Sequence, residues 1–99
     1  MKRKMKPVHP GAILREDVLK EMNLTITKAA LNLEVSRKQL SEVINETAGI
    51  SAEMALRLEN AFGIEAQFWL DLQSKYDLWK VEKSGRVRHI QRIPSQKAV

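Results

Sequence analysis

The stretch from Thr25 to Asn45, TITKAALNLEVSRKQLSEVIN, most narrows what this chain can fold into. It has room for two short helices joined by a tight turn. Ala30 is small, as a residue must be where two helices cross closely. Val35 is apolar and follows the turn. Ser36 is an N-cap, whose hydroxyl accepts from a backbone N–H two or three residues on. Leu40 and Val43 fall three apart, on one face of the second helix. The other face carries Arg37, Lys38, Ser41, Glu42 and Asn45. A helix that caps itself with Ser, buries Leu and Val and turns Arg, Lys and Ser outward suits the major groove of DNA. The stretch reads as a helix-turn-helix.

The rest of the chain extends this into an all-α bundle of five helices. Pro10 marks a helix start, where its missing N–H costs little. Ile13, Leu14, Val18 and Met22 recur at helical spacing, so helix one is expected over about 10–22, with Arg15, Glu16, Lys20 and Glu21 on its polar face. Thr25 or Thr27 caps helix two, which ends near Leu33, and helix three spans about 37–45. Ser51 caps helix four, Ala55, Leu58 and Phe62 form its buried face, and Gly63 stops it. Helix five is expected over about 65–82. These elements define a flexible basic arm (1–8), a helix-turn-helix domain (9–83) and a basic tail (84–99). In the tail, Val87, Ile90 and Ile93 are three apart, compatible with a helical turn or with a short edge element on a partner.

Charge is unevenly placed. The net charge is +5, yet residues 1–6 carry +4 and residues 83–99 carry +5. Residues 7–82 hold 8 basic and 12 acidic side chains, a balance of −4. An argument from charge for nucleic-acid binding therefore applies to the arms, not to the central domain. The chain has no cysteine, which excludes disulfides and thiolate metal sites and fits a cytoplasmic protein. The two histidines, His9 and His89, lack metal-ligand spacing, and His9 is expected to order the start of helix one. There is no membrane-length apolar run, no signal-peptide pattern, no catalytic triad and no phosphate-binding glycine loop. No enzyme activity, cofactor or metal is expected.

With these elements in place the chain resembles the HigA antitoxin family, also known as virulence-associated protein I, of the lambda-repressor-like (XRE/Cro-type) helix-turn-helix class. The likeness covers about residues 9–82. It is carried by His9-Pro10-Gly11, Ile13-Leu14-Arg15-Glu16, Val35-Ser36-Arg37, Gly49-Ile50-Ser51, Ala55-Leu56-Arg57-Leu58, Ala61-Phe62-Gly63, Phe68-Trp69-Leu70, Leu72-Gln73 and Tyr76-Asp77-Leu78-Trp79. The resemblance implies a bacterial DNA-binding protein that represses its own operon as a homodimer and neutralises a small HigB-like toxin that cleaves mRNA. Two positions depart from the family. Glu34 stands in the turn where Gly is usual, and Glu46 follows Asn45 where Gly is frequent. Both positions favour positive φ. With Glu42, they put three carboxylates near the expected DNA face.

The candidate sites follow. Arg37 and Lys38 are expected to reach base edges or phosphates, with Ser36, Gln39, Ser41 and Asn45 as further contacts on the same helix. Thr25, Thr27 and Lys28 are expected beside phosphates, where contacts set orientation. The plainer alternative is a solvated face on which Lys38 and Glu42 form an i,i+4 pair. On helix five, Trp69, Leu72, Tyr76 and Trp79 form a seam. Trp69 and Leu72 are assigned to the core, and Tyr76 and Trp79, with Val87 and Ile90, to a dimer interface. Glu16, Asp17 and Glu21 are the candidates for a basic toxin. A double-stranded operator with an inverted repeat, a toxin and a second copy are the expected partners. A solitary repressor without a toxin, and a toxin inhibitor with weak DNA binding, are the rival readings.

Overall fold

In a computed structural model that describes residues 5–95, the first helix opens at His9-Pro10-Gly11. His9 is the N-cap, and its Nδ1 accepts from the Gly11 N–H at 2.9 Å. Pro10 takes the position where no N–H is needed. Gly11 is buried because the chain here lies directly on another helix end. A Cβ at Gly11 would sit 1.8 Å from the Val43 carbonyl oxygen.

From there α1 (Pro10–Ile13) passes without a break into a π-helical stretch (Leu14–Leu19), which continues the first helix. It is followed by α2 (Ile26–Leu33), α3 (Arg37–Ile44), α4 (Ala52–Phe62) and α5 (Ala66–Ser84). There are five helices and no strand among the described residues, as expected. The side chains of Thr25, Ser36 and Ser51 each accept from the N–H three residues on, at 3.0–3.1 Å. Each such cap is worth about 1 kcal/mol. Thr25, not Thr27, caps α2, and Thr27 lies exposed in its first turn.

The expected stripe on helix one needs a correction. Leu14 and Val18 are buried, but Met22 is 56% exposed and Leu19 is buried in its place. The π-helical turn is the reason. Its i→i+5 bonds, such as Lys20 N–H to Arg15 C=O at 3.1 Å, widen the turn and rotate later residues off a 3.6-residue stripe. The helix then ends at Asn23, whose φ is 56°.

Leu14, Leu40, Leu58 and Trp69 are fully buried and bring the first helix, α3, α4 and α5 to one core. Leu72 packs half-buried against it. The buried Trp69 indole N–H meets no acceptor among the described residues. Polar side chains fasten α5. Gln73 Oε1 accepts from the Ile50 N–H at 2.7 Å, and Glu59 Oε1 accepts from the Ala66 N–H at 3.2 Å. The second contact supplies the cap that Glu65, at the N-cap, does not give with its own side chain.

His9 is 4% exposed and meets the Tyr76 ring edge-on, with centroids 4.8 Å apart. Burial lowers its pKa below the ordinary 6.5, against the raising influence of Glu46 and Asp77 and with a lesser lowering from Lys80 and Lys6. The unfolded chain therefore binds this proton more readily than the folded one. His9 contributes stability that is full above about pH 6.5 and declines as pH falls from there toward its depressed folded value. Thermal melts between pH 7.5 and 5 should show this decline, and a His9→Asn variant, which keeps a capping acceptor, should show less of it. Equal pH slopes in the two proteins would assign the dependence to carboxylates instead.

No helix among the described residues is long and apolar enough to cross a membrane. The chain beyond Ser84 turns at Gly85, with bonds from Arg88 N–H to Gly85 C=O and from Ile90 N–H to Val87 C=O, and then runs without regular structure to residue 95. Of the basic arm, residues 1–4 lie outside the described residues, as do residues 96–99 of the tail.

Candidate nucleic-acid interface

The exposed face of α3 is built by what its other face buries. Leu40, Val43 and Ile44 are at most 5% exposed, so the helix cannot rotate about its axis without uncovering them. That fixes Arg37, Lys38 and Gln39 outward, with Ser41 at the edge. Arg37, Lys38 and Ser41 rim a shallow open depression. Ser36 Oγ is held by the Gln39 N–H at 3.0 Å. At the other end, Asn45 Nδ2 donates to Ser41 Oγ at 3.2 Å, which orients both polar groups on the same surface. No ion pair joins Lys38 to Glu42 among the described residues.

Thr25, Thr27 and Lys28 lie exposed at the start of α2. Their backbone N–H groups belong to a helix N-terminus, which favours an anion such as a phosphate. The Thr25 hydroxyl oxygen accepts from Lys28 N–H at 3.1 Å and keeps its own proton for donation.

The two departures from glycine take the backbone that glycine favours. Glu34 ends α2 with φ 58° and ψ 42°, and Glu46 has φ 65°. A residue with a Cβ pays about 1 kcal/mol there relative to Gly. Glu34→Gly should therefore raise the melting temperature by roughly 4–8 °C, the shift that 1 kcal/mol gives a domain of this size. It also removes a carboxylate from the turn that leads into α3. If that carboxylate faces phosphates, DNA affinity rises too, most at low salt where exposed charges are least screened. A lower melting temperature would show that the Glu34 side chain contributes more than its strain costs.

Two arginines reach the C-terminal ends of the helix pair. Arg15, expected on the polar face of helix one, is only 33% exposed and donates to the Ile44 carbonyl at the end of α3. It also pairs with Glu16 at 2.9 Å and Glu46 at 3.6 Å. Arg57 on α4 donates to the Leu33 carbonyl at the end of α2, at 2.9 Å. Cations at helix C-termini are a known stabilising pattern, but these lie 29 and 24 residues from their acceptors, and sequence spacing carries no such signal.

The remaining candidates lie elsewhere. On the first helix Glu16, Asp17 and Glu21 are all exposed. The Glu16 carboxyl is held below its usual range, first by its hydrogen bond from Arg15 and then by that from Lys20. Its charge is thus already met by two cations, and Asp17 and Glu21 are the freer pair on that face. On α5, Tyr76 and Trp79 are half-buried, with ring centroids 5.9 Å apart. Tyr76 rests on His9, and Lys6 and Lys83 lie over the Trp79 ring at 5.8 and 5.3 Å. Leu78 is 51% exposed, and in the tail Val87, Ile90 and Ile93 are 50, 68 and 87% exposed. No group of His, Asp or Glu suited to a metal occurs among the described residues.

Comparison with known proteins finds relatives of the same fold. The helix-turn-helix family model HTH_3 matches residues 16–69. Virulence-associated protein I of Dichelobacter nodosus is 45% identical over 82 residues, covering 83% of this chain and 76% of its own length. Among solved structures, the Pseudomonas aeruginosa antitoxin HigA with the higBA promoter superposes with a TM-score of 0.83 at 36% identity, over 89% of this chain and 99% of that one. The antitoxin GraA in complex with its operator gives 0.86 at 36% identity, over 96% and 99%.

Proposed function

The chain belongs to the helix-turn-helix family of virulence-associated protein I and the HigA-type antitoxins, a family of DNA-binding regulators rather than enzymes, and from that premise we propose that it is an antitoxin that represses its own operon. The observation that carries this reading is α3 itself, a Ser-capped helix locked by Leu40, Val43 and Ile44 with Arg37, Lys38 and Gln39 facing outward. Arg37 is the candidate for a bidentate contact to guanine, and Lys38, Gln39, Ser41 and Asn45 complete the reading surface. Thr25, Thr27, Lys28 and Ser36 seat the motif on phosphates.

The protein acts as a homodimer in the cytoplasm. Two copies of α3 about 34 Å apart match one turn of DNA, which makes the operator an inverted repeat. The dimer contact is assigned to the outer part of α5 and the tail, through Tyr76, Trp79, Val87 and Ile90. The exposed apolar side chains of the tail support this, because they cover no core of their own. The toxin partner is a small basic mRNA-cleaving protein of the HigB type. It is assigned to the acidic face of the first helix at Glu16, Asp17 and Glu21, away from α3, so that toxin and operator are bound together.

A mobility-shift titration with the protein's own promoter tests the reading. Specific retention of that DNA is the expected result, and binding no tighter than to unrelated DNA would leave only the toxin-inhibitor reading. The neighbouring reading frame tests the rest. A small basic protein that is lethal alone and harmless with this chain supports the antitoxin assignment, and its absence would favour a solitary repressor.

A further inference from the structure

The turn between α2 and α3 holds a left-handed Glu34, a conformation that non-glycine residues keep only when the surroundings over-determine it. Part of that constraint is local. The backbone N–H groups of Glu34 and Val35 donate back to Leu31 and Ala30 at 3.2 and 3.1 Å. These bonds satisfy the Ala30 and Leu31 carbonyls but do not reach the Leu33 and Glu34 carbonyls at the end of α2. Arg57 supplies a partner from outside the motif. Its Nη1 donates to the Leu33 carbonyl at 2.9 Å and reaches the Glu34 carbonyl at 3.5 Å.

The guanidinium is itself held. Glu53 Oε2 accepts from Arg57 Nη2 at 2.9 Å and from Nε at 3.2 Å, one helical turn away on α4. A planar fork fixed along one edge presents its free N–H in one direction, which an ammonium on a flexible stem does not do. The turn is therefore tied to α4 through a defined geometry. α3 begins three residues beyond Glu34, so while burial of Leu40, Val43 and Ile44 fixes its rotation, the pose of the turn bears on the angle of the end that carries Arg37 and Lys38.

We infer that Arg57 is a positioning residue for DNA recognition, pinning the Leu33–Glu34 turn to α4 so that α3 meets the groove at one angle. This rests on α3 being the DNA reader. The side chain acts through the backbone of α2, not through contact with DNA.

The test uses the full chain, a duplex of its own promoter and an unrelated duplex of equal length. Binding is measured at several salt concentrations and well below the melting temperature. Arg57→Met keeps the aliphatic stem and removes every donor. It should weaken promoter binding by roughly tenfold, the scale of one misplaced base contact, while binding to unrelated DNA changes much less. The salt slope on promoter DNA should be unchanged, because no phosphate contact is lost. Arg57→Lys, which keeps a cationic donor group but not the planar fork, should lose roughly threefold.

Unchanged promoter affinity in Arg57→Met would overturn the proposal. So would a salt slope lower by about one, which would make Arg57 a phosphate contact. If Arg57→Met is unfolded at the temperature of measurement, Arg57→Lys decides, and wild-type affinity in that variant overturns the proposal. Failure of the unmodified protein to prefer its promoter would instead remove the reading of α3 on which the proposal stands.

Discussion

Gly11→Ala should cost about 3 kcal/mol and lower the melting temperature by roughly 12–24 °C, the largest effect expected of any single methyl group in this chain. The added Cβ would lie 1.8 Å from the Val43 carbonyl oxygen and 2.8 Å from its carbon. Both are backbone atoms of α3, so no rotamer change relieves the clash, and the first helix and α3 must separate. Gly49→Ala is the natural control. There the Cβ meets the Gln73 side chain at 2.8 Å, which can swing aside at the price of its bond to Ile50 N–H. That variant should lose about 1 kcal/mol. Calorimetry on both checks the contrast. Equal and small shifts would mean that the first helix and α3 do not approach as closely as Gly11 allows.

Replacing Arg37 and Lys38 by Ala should reduce operator affinity with little change in stability, since both are exposed and neither forms an ion pair among the described residues. The two losses should differ in kind. A base-reading Arg37 is worth about 1–3 kcal/mol, roughly 5- to 150-fold, and its loss relaxes one operator position. A phosphate-binding Lys38 weakens all sequences alike and lowers the salt slope by about one. Titrations of the single variants against promoter and point-mutated duplexes separate the two roles. A folded double variant that bound the promoter as tightly as the unmodified protein would sink the assignment of α3 as the reader.

Much of this protein was legible in its sequence because its local signals agree with one another. Ser36 and Ser51 stand where helices begin, Thr25 or Thr27 where another does, and Gly63 where one ends, and Thr25, Ser36, Ser51 and Gly63 act there. The alternation of buried Leu40 and Val43 with outward Arg37 and Lys38 follows from helical period alone, and so does the candidate DNA face. The positive φ at Glu34 and Glu46 was also legible, through the family's use of glycine at those positions.

Tertiary structure decided what sequence periodicity could not carry. The π-helical turn at Leu14–Leu19 moved Leu19 into the core and Met22 out of it, because hydrogen-bond register is chosen by the packing it allows and is not written in hydropathy. The roles of Arg15, Arg57, Gln73 and Glu59 depend on acceptors or donors 7 to 29 residues away, where the chain has already turned back on itself. His9-Pro10-Gly11 shows both halves at once. Pro10 announces a helix start by its own chemistry. Gly11 is required only because folding brings the Val43 carbonyl to where a Cβ would lie, and the His9 pKa is lowered only because folding buries the ring. A sequence records which groups are available, and the free energy of burial decides which of them meet.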